Sequence, residues 1–144
     1  MFYTGLMQPT YLSPYITFNG NCKEVMEFYA ACMGGKLVMQ TFGEAPVHAP
    51  EEYKGKIMHA MLQNDSLSFM ASDTQPGTTV ATGDNISMSV AGTDNEKLHD
   101  MFTKLSAGGT VTMPLAPQFW GDTFGMLTDK FGIHWMFNIA GKKE

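Results

Sequence analysis

Positive charge is scarce in this chain: 9 Lys and Arg stand against 14 Asp and Glu, the net charge is -5 at pH 7, and no basic run is longer than Lys142-Lys143. A phosphate backbone is held by clustered cations, so no nucleic-acid partner is expected. Long apolar runs are missing as well, and Met1 to Thr10 carry neither a basic leader nor a continuous apolar stretch. No membrane span or secretory signal is therefore expected, and the protein is expected in the cytoplasm. Only 2 cysteines occur, Cys22 and Cys32, ten positions apart on one predicted helix. That is too far along a helix for them to bond, so no disulfide within the chain is expected. Cys22, near the helix start, has two readings: a thiol of lowered pKa, or an ordinary reduced cysteine. Nothing follows the Ser-His-Asp order or the nucleophile elbow of a hydrolase.

What is present suits one globular domain spanning 1–144, with 44% hydrophobic and 16% charged residues in 15.8 kDa. The chain also repeats itself. Setting residue i beside i+74 matches Ile16 with Val90, Asn21 with Asn95, Lys23 with Lys97, Phe28 with Phe102, Gly34-Gly35 with Gly108-Gly109, and Met39 with Met113. Each half begins with a short strand (Tyr15 to Phe18; Ile86 to Val90), followed by a helix that ends at a glycine pair. Val25, Phe28, Tyr29 and Cys32 form the apolar stripe of the first helix, and Leu98, Met101, Phe102 and Leu105 that of the second. Both glycine pairs are expected to supply left-handed caps. A strand follows in each half (Lys36 to Thr41; Thr110 to Met113), then a loop and a hairpin. The first hairpin is Ile57 to Gln63, an Asn64-Asp65 turn and Leu67 to Ala71; the second is Phe124 to Thr128, a turn through Asp129 to Gly132, and Ile133 to Ile139. Module one is thus 11–73, the linker 74–84 and module two 85–140, each βαβββ.

This plan resembles the vicinal-oxygen-chelate superfamily of glyoxalase I, bleomycin-resistance proteins and extradiol dioxygenases, and within it the PhnB-like branch. The residues that carry the resemblance are Pro14-Tyr15-Ile16-Thr17-Phe18-Asn19-Gly20-Asn21-Cys22, Glu27-Phe28-Tyr29, Gly34-Gly35, His59-Ala60, Ser72-Asp73, Met113-Pro114-Leu115 and Phe119-Trp120-Gly121. The resemblance covers about residues 11 to 140. It implies an α+β fold in which two βαβββ modules form cupped mixed sheets, an open barrel with the helices outside, often as a homodimer. It also implies a metal site with ligands on the first and last strand of each module. The last-strand carboxylates would fall at Met136, four residues past Gly132, and close to Met70. The first-strand ligands would fall among Ser13, Tyr15 and Thr17, and among Asn85, Ser87 and Ser89. None of these is a carboxylate or imidazole, so no metal and no cofactor are expected. PhnB-like domains often carry a demethylubiquinone methyltransferase label. Enzymes that use S-adenosylmethionine build on a glycine-rich turn after a parallel strand, whereas both glycine pairs here follow helices.

Strand alternation assigns the inner surface of the cup. With Trp135, Phe137 and Ile139 toward the helices, His134, Met136 and Asn138 face inward, as do Ser68, Met70 and Ser72. His59, Met61 and Gln63 alternate likewise, and Tyr15, Thr17, Ser87, Ser89, Phe119 and Trp120 lie near the mouth. Among 13 methionines, those on this face suit adaptable apolar binding, while others fill core. His59 is the candidate catalytic base; a structural role, or a two-nitrogen metal site with His134 and a water or Glu44, Glu51 or Glu52 from the long loop, are the other readings. Solvent is the expectation for His48 and His99, and turn capping for Asp122 and Asp129. Two functions stay open: a metal-free binding protein for a small apolar or aromatic molecule, or an enzyme acting on a small oxygenated substrate through His59.

Overall fold

The computed structural model describes residues 10–141; the stretch before them and the Lys142-Lys143 pair lie outside the described residues. It separates into two compact units, the boundary falling between Val80 and Ala81. The first holds β1 (Tyr15–Phe18), α1 (Cys22–Met33), β2 (Lys36–Thr41), β3 (Ile57–Gln63) and β4 (Ser68–Asp73). The second holds β5 (Ser87–Gly92), α2 (Asn95–Ser106), β6 (Thr110–Pro117), β7 (Thr123–Thr128) and β8 (His134–Ile139). Each unit is a four-stranded mixed sheet with the same order, β1-β4-β3-β2 and β5-β8-β7-β6. First and last strands pair in parallel and the others antiparallel. The fold class is therefore α+β, with βαβββ repeated. No described helix is long and apolar enough to cross a membrane.

One face of each sheet carries its helix. In the first unit Val25, Met26, Tyr29, Cys32 and Met33 of α1 are buried, and Tyr29 meets Phe69 of β4 edge to face at 5.9 Å. Phe28 is only half-buried, which corrects the expected stripe. In the second unit Leu98, Met101, Phe102 and Leu105 are buried as expected, and the rings of Phe102 and Phe137 lie 5.3 Å apart. The matching of Phe28 with Phe102 fails separately, through a change of offset. The first strands lie 74 apart (Tyr15 and Ser89), as do the starts of the second (Lys36 and Thr110), but the helices, Cys22–Met33 and Asn95–Ser106, lie 73 apart. Phe102 thus corresponds to Tyr29. Ala107, between the end of α2 and Gly108, restores the strand offset.

The glycine pairs differ. Gly34 (φ 74°) and Gly35 (φ 114°) are both left-handed, and Gly108 (φ 75°) is too, but Gly109 is not. Gly109 is small for another reason: an added Cβ would stand 2.3 Å from the Thr128 carbonyl oxygen. β6 runs to Pro117, well past the expected Met113. It is an edge strand with register shifts between Val111 and Ala116, so Pro114 has no inner ladder to interrupt.

The helix starts are satisfied in two ways. Asp94 caps α2 locally, its carboxylate accepting from the Lys97 N–H at 3.1 Å. Asn21 makes no side-chain cap; instead Asp73, at the end of β4, accepts from the Cys22 N–H at 2.9 Å and from the Ile57 N–H at 2.8 Å. Cys22 is fully buried, and burial followed by the nearby Asp73 pushes its thiol up to about 12, so the activated-thiol reading is excluded. Both cysteines are free.

Candidate functional site

Register places the sequence-chosen residues in rows across the helix-free face of each sheet. In the first unit one row is Tyr15, Met70, Met61 and Val38, and Gln63 stands opposite Ser68 and Lys36 in the next. Thr17 is opposite Ser72. In the second unit the central row is Ser89, Met136, Met126 and Met113; Ser87, His134, Thr128 and Thr110 flank it on one side, and Ala91, Asn138, Phe124 and Ala116 on the other. Along β8 burial alternates strictly, with Trp135, Phe137 and Ile139 buried and His134, Met136 and Asn138 half-buried, as a sheet covered on one face requires. Met61 and Met126 occupy equivalent places in the two units, as do Met70 and Met136.

His59 sits on β3 opposite Gln40, next to a register shift between Gln40 and Thr41, and its ring meets Tyr15 edge to face at 6.0 Å. Burial lowers its pKa, so the neutral imidazole dominates at pH 7, as a base requires. His134 belongs to the other unit, where its Nδ1 shares a hydrogen bond of 2.9 Å with the Thr128 hydroxyl. Of the acidic residues proposed to join them, Glu44 accepts from the Thr41 N–H and hydroxyl, and Glu51 pairs with Lys54. Among the described residues no three His, Cys, Asp or Glu side chains gather as a metal-binding group. His48 and His99 are exposed.

The superfamily's metal can be tested against the donors. β1 sets Tyr15 beside Met70, and β5 sets Ser89 beside Met136. Neutral thioethers and hydroxyls supply neither the charge nor the imidazole nitrogen that a hard or borderline divalent ion takes from this fold, so these residues do not fit it.

Aromatic side chains stand at one end of the second sheet. Phe119 (96% exposed) and Trp120 (47% exposed) meet at 5.0 Å, and Trp120 meets Phe124 at 6.0 Å. The indole is tethered: Trp120 Nε1 donates to Asn138 Oδ1 at 3.4 Å, Asn138 Nδ2 donates to Asp122 at 2.9 Å, and Asp122 also accepts from the Gly141 N–H. Sequence reasoning found Trp120 but not the Asn138 and Asp122 support. The sequence pattern puts Asn138 on the inner face, and its spacing of two from Met136 is the available signal. Asp129, as expected, caps its turn, accepting from the Phe131 and Ile133 N–H groups and from Trp135 Nε1.

His59 also implies a pH effect. Its folded pKa lies below the ordinary 6.5, so at lower pH the unfolded chain binds the extra proton first. Its stabilising contribution is present above about 6.5 and lost as pH falls through the folded value. The melting temperature of the wild type is expected to fall more between pH 7.5 and pH 5 than that of His59→Gln; parallel curves in a pH series of thermal melts would contradict this.

The family model described as 3-demethylubiquinone-9 3-methyltransferase matches residues 10–138. The Escherichia coli protein YjdN is 30% identical over 140 residues, covering 90% of this chain and 95% of YjdN. The crystal structure of protein PA1353 from Pseudomonas aeruginosa is 40% identical with a TM-score of 0.81, over 91% of this chain and 98% of that one. The PhnB protein from Bacillus cereus shares the fold at 24% identity and a TM-score of 0.75, over 91% of this chain and all of that one. Solved glyoxalase/bleomycin-resistance proteins from Nocardioides, Albidiferax ferrireducens and Burkholderia phytofirmans share it at TM-scores of 0.59.

Proposed function

We propose, from the fact that this chain belongs to the family described as 3-demethylubiquinone-9 3-methyltransferase, the PhnB-like branch of the glyoxalase/bleomycin-resistance/dioxygenase superfamily, that it is a metal-free small-molecule binding protein. The observation that carries this reading is the second sheet's helix-free face. There Met136 and Met126 make an apolar floor, and Trp120, held through Asn138, stands beside it. Flexible thioethers adapt to the outline of an apolar or aromatic ligand, and an indole fixed at its nitrogen offers a ring for stacking. Ser87, Ser89 and His134 supply polar groups for orientation on the same face. On the first sheet Tyr15, Thr17, Gln63 and Ser68 do so around Met61 and Met70. The family description does not carry over as methyl transfer. Gly34-Gly35 and Gly108-Gly109 follow helices and lead into edge strands, and neither opens a helix after a parallel strand.

Trp120→Ala is expected to weaken binding of aromatic ligands by about 1 to 3 kcal/mol through lost stacking area. Met136→Glu is expected to weaken it too, by setting an unpaired carboxylate on the apolar floor. Isothermal titration of both variants with an aromatic panel and with zinc checks this. A gain of zinc affinity in Met136→Glu together with unchanged ligand binding would favour a latent metal site instead.

A second reading rests on the neutral His59 beside Tyr15: a lyase, isomerase or dioxygenase-like enzyme acting on a small oxygenated substrate, with His59 as base. Turnover lost in His59→Gln would distinguish it from simple binding. The proposal includes a cytoplasmic homodimer, since each sheet ends on two edge strands that a partner can cover. Sedimentation giving only a 15.8 kDa species at micromolar concentration would refute the dimer.

A further inference from the structure

We propose that Met113, Met126 and Met136 form a binding site for a soft monovalent cation, Cu(I) or its redox-inert analogue Ag(I), on the helix-free face of the second sheet. The register is the basis. Met113 is the direct partner of Met126, and Met126 of Met136, so three thioethers stand in one row on three neighbouring strands. Neighbouring strands are about 4.8 Å apart, and directly opposed side chains have Cβ atoms about 5 Å apart. A methionine side chain turns about three bonds, so the outer two sulfurs can lean over the middle one and meet it at a common point. Three neutral, polarisable sulfurs with no carboxylate among them select against Mg, Ca, Mn and Zn and toward Cu(I). The fourth member of the row is Ser89, which adds no charge.

Access is open: Met113 is 40% exposed, and Met126 and Met136 are half-buried. Leucine at these places would supply the same apolar surface but no donor. The first unit offers an internal comparison, because its equivalent row reads Tyr15, Met70, Met61 and Val38, with two thioethers in place of three. The absent metal of the small-molecule reading is the superfamily's divalent ion; a soft monovalent ion would lie on the same Met126 and Met136 floor, so it and an organic ligand would compete for this face.

The test is a titration of the full chain, labelled with carbon-13 in the methionine methyl groups, with silver nitrate in chloride-free buffer, followed by NMR. Cys22 and Cys32 also attract silver, but the methyl signals of the row do not report on ions those thiols capture. The expected result is that the methyl signals of Met113, Met126 and Met136 move together along one binding curve and saturate with a single ion. Those of Met61 and Met70 should follow only at silver concentrations at least tenfold higher. In Met126→Leu, which conserves volume and so should preserve the fold, the shifts of Met113 and Met136 should weaken at least tenfold. Three separate midpoints, shifts that simply track exposure across all the methionines, or unchanged Met113 and Met136 shifts in Met126→Leu would each overturn the proposal.

Discussion

Gly109→Val is expected to be among the most damaging single substitutions in this chain, lowering stability by about 3 kcal/mol or more and the melting temperature by about 10 °C. The cause is space, because the backbone of Gly109 is not left-handed. A Cβ there would lie 2.3 Å from the Thr128 carbonyl oxygen and 2.9 Å from the Asp129 Cα, both backbone atoms that cannot step aside without displacing β7 and its turn. Gly109→Ala should therefore be nearly as harmful as Gly109→Val. Gly35 combines two penalties: a φ of 114°, and a Cβ position 2.7 Å from the Gln63 carbonyl oxygen. Gly34 has a left-handed φ of 74° but nothing within 4 Å, so Gly34→Ala should cost only about 1 kcal/mol. Thermal melts of Gly109→Val, Gly109→Ala, Gly35→Val and Gly34→Ala check the ranking. A Gly109→Ala protein as stable as Gly34→Ala would mean that the approach to Thr128 is looser than described.

Asp129→Ala is expected to cost about 3 kcal/mol, although the residue lies in a turn. Its carboxylate is 3% exposed, and it is the acceptor for the Phe131 and Ile133 N–H groups and for the Trp135 indole N–H, all at 2.9 to 3.1 Å. Removing it deprives three donors of that acceptor and loosens the turn that sets the β7–β8 register. Asp129→Asn keeps one oxygen but points an amide N–H at a donor, so it should recover only part of the loss. Urea denaturation, read through the buried Trp135, would measure both. A loss under about 1 kcal/mol in Asp129→Ala would mean that water replaces the carboxylate at little cost.

Much of the architecture could be read from the residues because apolar spacing and turn chemistry agreed. The stripe Leu98, Met101, Phe102 and Leu105, the alternation along β8 and the turns at Asn64 and Asp129 all follow from local rules. The exceptions depend on partners distant in sequence. A single offset of 74 matches Phe28 with Phe102 where the helix offset of 73 pairs Tyr29 with it, and that one-residue change is visible only once the strands are paired. β6 looked shorter than it is because Pro114 reads as a breaker, and its place on an edge is a property of the sheet. At the candidate site, Met136 and Met70 were placed on the helix-free face, and the first-strand residue beside each, left among three choices, is now Ser89 and Tyr15. Met126 and Met113 were missing from that reading of the site, since apolar residues on a strand carry no signal of donor chemistry until their cross-strand neighbours are known.

The two helix starts also differ in the loop that must close before each is fully satisfied. Asp94 lies beside α2 in the chain, so the first turn of that helix can be stabilised while the rest of the second unit is still unfolded. The acceptor for the start of α1 is Asp73, 51 positions downstream, and the same carboxylate holds the first N–H of β3. α1 therefore gains its terminal hydrogen bond only after the β3–β4 hairpin has closed and β4 has docked, and pays the loop-closure entropy first. Two units built to one plan thus differ in the reach of the contact that completes the helix start: local for α2, distant in sequence for α1.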